Sequence, residues 1–254
     1  MPITDPLFYL AAVPAVLLAG IGKGGLGGLG LLSVPLMALV AGPVQAAGVM
    51  LPILCVMDLF GLWAYRRSWN GALLRVMLPG ALIGIGAGTL AFGHLDEDAV
   101  RLVIGLLAVG FAGRYWLTRL LARPEAAARA PSRAAGVFWA GVSGFTSFLA
   151  HAGGPPVMVW LLPQRLDRMT LAGTTVVLFG VVNWVKLLPY GWLGQLGAAN
   201  MATALVLSPL APLGIWMGVR LTRRLNDGLF HRLSHAVLLL TGLKLCADAF
   251  SSSP

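Results

Sequence analysis

Lys23 is the only charged residue between Asp5 and Asp58, and it lies in the run Gly22-Lys23-Gly24-Gly25-Leu26-Gly27-Gly28. Glycine at this density interrupts a helix, and interrupted helices leave backbone N–H groups without partners. Such groups carry partial positive charge and suit an anion. The ammonium of Lys23 adds a full charge, so Lys23, Gly24, Gly25, Gly27 and Gly28 are candidate anion contacts. The simpler alternative is a lysine that snorkels to an interface, with glycines that only permit close packing. The spacing is not G-x-x-x-x-G-K-[ST], so a nucleotide phosphate loop is not indicated.

A second interruption, His151-Ala152-Gly153-Gly154-Pro155-Pro156, repeats the pattern in the other half of the chain. Two glycines followed by two prolines end a helix. His151 can donate to an anion or carry a proton near neutral pH. It can equally be a neutral ring bonded to a carbonyl of the broken helix. His151, Gly153 and Gly154 are the candidate contacts here.

The third constellation is Asp58, Asn183 and Lys186. Asn183 and Lys186 share a helix face through their i, i+3 spacing. Asn183 is a candidate anion contact. A carboxylate in apolar surroundings needs a partner or a proton. Asp58 therefore pairs with Lys186 or with Lys23, or carries a proton. The simpler reading of Lys186 is a side chain snorkelling to a helix end marked by Pro189 and Tyr190. Thr174 and Thr175 are expected to bond the preceding turn of their own helix.

Other chemistry is poorly supported. Ser143, Ser147 and His151 are the nearest approach to a nucleophile and base, but no G-x-S-x-G elbow or orienting acid accompanies them. A membrane-embedded hydrolase using Ser147 and His151 stays an alternative, as does a non-transporting membrane scaffold, and the chain is expected not to be an enzyme. His94, His231 and His235 form no metal pattern, Cys55 and Cys246 form no C-x-x-C, and no metal or cofactor is expected.

The elements that must position these residues are apolar. The chain is 58% hydrophobic and 11% charged, against roughly 25% charged in a soluble domain. That much apolar surface needs a bilayer. The net charge of +9 reflects arginines gathered in loops rather than a nucleic-acid surface. Six stretches are long enough to cross: about 46–65, 72–92, 99–121, 170–190, 197–219 and 229–249. The regions 7–41 and 135–163 contain the two interruptions. Trp63, Trp69, Trp116, Trp139, Trp192 and Tyr190 lie near span ends and read as interfacial anchors.

The two halves resemble each other. Ala47-Gly48, Asp58 and Tyr65 correspond to Ala172-Gly173, Asn183 and Tyr190 at one constant offset. Pro79 and Gly84 correspond to Pro209 and Gly214, and Leu95-Asp96 to Leu225-Asn226. The chain divides into a first repeat, 1–121, a basic linker, 122–134, and a second repeat, 135–254. If both interrupted regions were single crossings, the arginines would divide almost evenly between the two sides. If both are re-entrant hairpins, every arginine except Arg101 falls inside, as short loops require. The expected fold is an all-α integral membrane protein of two inverted-topology repeats. Each repeat is a re-entrant or broken helical hairpin plus three transmembrane helices, and both chain termini lie outside.

These residues carry a family likeness. Gly20-Ile21-Gly22-Lys23-Gly24-Gly25-Leu26-Gly27-Gly28, followed by Val34-Pro35-Leu36 and Pro43-Val44-Gln45-Ala46-Ala47, resembles the sulfite exporter TauE/SafE family. His151-Ala152-Gly153-Gly154-Pro155-Pro156 and Gly173-Thr174-Thr175 extend the likeness over nearly the whole chain. The resemblance implies a transporter of anionic sulfur compounds in the bacterial cytoplasmic membrane. The family usually has a glycine-rich stretch in each half. Here the second is shortened to Gly153-Gly154, which implies unequal roles for the two turns. Together these readings give the expectation of a secondary transporter, an exporter of sulfite or an organosulfonate by alternating access. Its partners would be a small anion, the bilayer and protons, carried by Asp58 or His151. No nucleic acid is expected, and a homo-oligomer stays open.

Overall fold

The computed structural model describes residues 2–41, 43–92, 94, 97–121 and 132–251. Every regular element among them is helical: α1 (Pro6–Lys23), α2 (Gly27–Gly30), α3 (Ser33–Ala41), α4 (Pro43–Ala64), α5 (Gly71–Ala91), α6 (Glu97–Leu120), α7 (Arg133–Ala150), α8 (Gly154–Leu161), α9 (Arg168–Trp192), α10 (Ala198–Leu207), α11 (Leu210–Arg224) and α12 (Asp227–Ser251). A 3-10 turn, Leu162–Gln164, follows α8. The basic linker falls at 122–134, of which 122–131 lie outside the described residues, as do Leu95 and Asp96.

α1, α4, α5 and α9 are each long and apolar enough to cross a membrane, and the pair α10–α11 makes a fifth crossing if counted as one bent span. The fold is thus an all-α integral membrane protein with multiple spans. The stretch 197–219 looks continuous in sequence, but α10 and α11 meet at 51°. Pro209 explains the bend, because proline removes an amide and its ring collides with the preceding turn.

Helix starts follow local chemistry. The Asp5 carboxylate accepts from the amide of Leu7 at 2.9 Å, with Pro6 opening α1. The Asn70 side chain accepts from Ala72 at 3.0 Å and Leu73 at 3.2 Å, capping α5. The hydroxyls of Thr174 and Thr175 do bond the preceding turn of α9, and that of Thr174 also accepts from the amide of Asn70 at 3.0 Å.

The chain folds into two compact units, and each draws helices from both halves. The first holds Met1–Arg75 and Arg168–Asn226; the second holds Val76–Asp167 and Asp227–Pro254.

In the first unit, α1 runs parallel to α10–α11. Ile3 donates its amide to Thr203 at 2.9 Å at one end, and Gly24 meets Gly218 at the other. The seam is built from small residues: a Cβ on Gly20 would lie 2.7 Å from the Cα of Gly214, and one on Gly24 would lie 2.6 Å from that of Gly218. Helices in lipid associate through such close backbone approach, since apolar side chains gain nothing by leaving the lipid. α4 and α9 cross antiparallel, with Gly48 against Gln195 and Gly173 against Ser68. This arrangement puts the start of α9 beside the ends of α4 and α11. Arg66, Arg67, Arg168, Arg220, Arg223 and Arg224 therefore collect at one end of the unit.

In the second unit, α5 runs parallel to α7 along an equally bare seam. A Cβ on Gly80 would lie 2.1 Å from the carbonyl of Val137, one on Gly84 2.0 Å from that of Gly141, and one on Gly144 2.1 Å from that of Ala81. α6 and α12 run antiparallel. Gly105 packs on Cys246, and the ring of Tyr115 stacks on His235 at 3.6 Å.

Both interrupted regions fold back as hairpins, α1 against α2 and α3, and α7 against α8. At about 1.5 Å per residue the 18 residues of α1 span about 27 Å, close to the hydrocarbon thickness.

Candidate functional site

α1 continues through Lys23, and Gly24 caps it. Helical side chains lean toward the helix N-terminus. The ammonium of Lys23 therefore points back along α1, away from the turn. It donates to the carbonyl of Leu54 at 3.1 Å and to the Asp58 carboxylate, both on α4. Of the two partners open to Asp58 in the sequence, Lys23 forms the ion pair.

The other Asp58 oxygen accepts from the side-chain amide of Asn183 at 3.0 Å. Asp58 and Asn183, which correspond at the constant offset read between the two halves of the sequence, touch where α4 crosses α9. Asp58 is 1% exposed, Asn183 3%, and the Lys23 side chain 14%. Lys186, one turn along α9 from Asn183, is fully buried. The snorkelling expected of it does not occur. Its ammonium lies within electrostatic reach of Asp58, Lys23 and the buried thiol of Cys55. One carboxylate and two lysine side chains thus share the interior of the unit, whose apolar core is built by Met50, Ile53, Met57, Val176 and their neighbours.

The glycine run serves this arrangement by allowing close approach. A Cβ on Gly22 would lie 2.4 Å from the amide nitrogen of Gly30, so Gly22 lets α2 close on α1. Gly25 has φ +137°, and a Cβ there would fall 2.1 Å from the hydroxyl oxygen of Thr222. The carbonyl of Gly24 accepts from the hydroxyls of Tyr65 and of Thr222, the latter at 3.2 Å. The end of α1 is thereby fixed to both α4 and α11. Gly27 and Gly28 open α2. Gly25→Ala is expected to lower stability by about 1–3 kcal/mol through backbone strain and collision with Thr222. Denaturant titration in detergent checks this.

The second turn, in the other unit, is fastened differently. His151 caps α7 in the left-handed conformation, φ 51°, and donates its amide to the carbonyl of Ser147 at 3.1 Å. The hydroxyl of Ser143 donates to the carbonyl of Gly153 at 2.6 Å, and that of Thr146 to the carbonyl of Ala152 at 3.1 Å. Gly153 and Gly154 begin α8, followed by Pro155 and Pro156. Prolines take two of the four N–H groups that a helix start would offer, so this turn presents fewer donors than its glycines suggest.

Among the described residues no group of His, Cys, Asp and Glu could hold a metal. Trp63 and Trp192 are exposed, as anchors in an interface would be, whereas Tyr190 is buried. Sequence reasoning missed Tyr65 and Thr222 as the clasp on Gly24. The repeat marked Tyr65, but nothing in sequence linked Thr222 to a turn so distant along the chain.

No curated protein and no solved structure matches the chain. The family described as Sulfite exporter TauE/SafE matches over residues 12–245. That match covers both glycine-interrupted hairpins and the crossing of α4 on α9: the chain belongs to the sulfite exporter TauE/SafE family.

Proposed function

We propose that this chain is a secondary transporter that exports a small anion, sulfite or an organosulfonate, by alternating access. Membership of the family gives the coarser statement, a membrane transporter of anions. The observation that carries the finer one is the cluster of Lys23, Asp58 and Asn183, with Lys186 beside it, buried at the crossing of α4 and α9. Ionisable groups at membrane depth are costly and mark a transport pathway. Lys23 and Asn183 supply the donors for the anion, and Asp58 and Lys186 set the local charge. Gly24, Gly25, Gly27 and Gly28 shape the first turn. In the other unit His151, Gly153 and Gly154 are the candidate anion contacts of the second turn, and protons couple through Asp58 or His151.

Two inverted repeats, 1–121 and 135–254, joined by the linker 122–134, supply the moving parts. Three observations support that architecture. The equivalent helices α4 and α9 run antiparallel, and they cross where the equivalent residues Asp58 and Asn183 touch. The seam of α1 on α11 has its counterpart in that of α7 on α5, the partner helices exchanged between halves. The arginines at one end of the first unit support a cytoplasmic assignment for that end, with both termini outside the bacterial cytoplasmic membrane.

The test is counterflow of radiolabelled sulfite in proteoliposomes. Vesicles carrying the wild-type protein concentrate the label transiently, and protein-free vesicles do not. Absence of counterflow with sulfite and with simple organosulfonates would remove this reading. His151→Gly keeps a backbone suited to the left-handed cap and deletes the imidazole. It is expected to slow counterflow about tenfold, equivalent to about 1.4 kcal/mol, with unchanged thermal stability.

A further inference from the structure

We propose that Asp58 is a resident stand-in for the transported anion: substrate takes its place on Lys23 and Asn183, and the displaced carboxylate takes up one proton from the open side. The inference rests on the reading of Lys23 and Asn183 as the anion's donors. Both already converge on a single oxyanion, one on each oxygen of the Asp58 carboxylate. Two anions cannot share that position, because like charges repel strongly away from water. A substrate that binds Lys23 must therefore expel Asp58.

Once expelled, the carboxylate sits among apolar side chains of α4 and its neighbours without its ammonium partner. An uncompensated charge at that depth is neutralised by a proton rather than kept. Cargo-bound protein thus holds an anion and a neutral Asp58, and empty protein holds the Lys23–Asp58 pair. In either state the donors are satisfied and the net charge of the site is the same. The proton comes from water on the side where the anion enters and returns to water on the side where it leaves, so anion and proton cross together, one for one. No bond other than the O–H of Asp58 is made or broken.

The charged and titratable groups around Asp58 are few. Lys23 faces it from α1, Cys55 lies one turn back on α4, and Lys186 lies on α9. α3 and α10 contain no ionisable residue. α11 carries Arg220, Arg223 and Arg224 near its end, beside the turn that Tyr65 and Thr222 hold. Asp58 is the only carboxylate among these groups, which makes it the group that can exchange with an anion.

The consequence for energetics is definite. Hydrogensulfite, the monovalent form of sulfite, carries no net charge when moved with one proton, so a pH gradient drives it and membrane voltage does not; export from a cell that is alkaline inside then runs on the anion's own outward gradient. The experiment uses the full chain in vesicles of phosphatidylethanolamine and phosphatidylglycerol, with radiolabelled sulfite as the probe and protein-free vesicles as the baseline. For the wild-type protein, an inside-alkaline pH gradient at zero voltage drives uptake above the equilibrium level, and a potassium–valinomycin potential at equal pH does not. Asp58→Asn retains an amide for Asn183 and cannot exchange a proton. Its counterflow persists with a KM about tenfold lower, since the internal competitor is gone, and its uptake no longer responds to the pH gradient.

Wild-type counterflow indifferent to the pH gradient would overturn the proposal while leaving the transport reading intact. An Asp58→Asn variant with the wild-type gradient response would do the same. Absence of any sulfite counterflow by the wild-type protein would overturn the proposal and the reading beneath it together. The wild-type arm decides even where the variant fails to insert.

Discussion

Lys23→Ala lowers the stability of the protein in detergent by about 3–5 kcal/mol, the cost of leaving a buried charge without its partner. Asp58→Ala costs a similar amount, because it strands the ammonium of Lys23 and the amide of Asn183 together. Lys23→Met combined with Asp58→Asn is the informative variant. Methionine fills the volume of the lysine stem, and asparagine keeps a hydrogen-bonding group opposite Asn183. Its loss should stay below about 1.5 kcal/mol, as for volume-conserving core changes. With the matching singles, Lys23→Met and Asp58→Asn, the difference between the double variant and their sum measures the coupling of the pair. Denaturant titrations followed by tryptophan fluorescence supply all the values. Additive losses would mean that the pair does not exist in the folded protein.

The second large effect lies in the two bare helix seams. Gly84→Val puts a side chain where Gly141 and Phe145 offer only backbone, with a Cβ 2.0 Å from the nearest carbonyl oxygen. Gly218→Val does the same on α11, 2.5 Å from the carbonyl of Ile21. Backbone cannot rotate aside as a side chain can, so each helix pair must separate. Each substitution is expected to cost at least about 3 kcal/mol, the upper range of overpacking, and to reduce the folded yield in membranes sharply. Gly86 has nothing within 4 Å of a built Cβ, and Gly86→Val on the same helix should change stability by less than about 0.5 kcal/mol. Equal effects at Gly84 and Gly86 would show that the seam is not what selects glycine.

The spans α4, α5 and α9 were legible because charge and apolarity are sharply segregated along the chain. α4, α5 and α9 begin and end within a few residues of the apolar limits, since Arg66, Arg67 and Arg168 mark where lipid stops. The interruptions were legible too, because paired glycines and prolines constrain the backbone locally. What those interruptions do was not legible. The run around Lys23 reads as a cradle of free N–H groups, yet Gly20, Gly22 and Gly24 lie against neighbouring helices. A small side chain has the same letter whether it faces a ligand or another backbone. The partner of Asp58 was equally hidden. Both lysines were candidates, and the choice depends on the tilt of the Lys23 side chain back along α1, a three-dimensional property. The bend at Pro209 was visible as a residue but not as an angle, because prolines such as Pro52 and Pro189 sit within helices that continue.

Sulfite counterflow by the neutral pair, Lys23→Met with Asp58→Asn, tests the central claim most directly. This protein keeps its fold and its membrane insertion while losing both the ammonium that would hold the anion and the carboxylate that stands in for it. The account predicts label accumulation no greater than in protein-free vesicles, beside strong accumulation by the wild-type protein. Counterflow at the wild-type rate would place the anion's path elsewhere in the molecule and contradict the account.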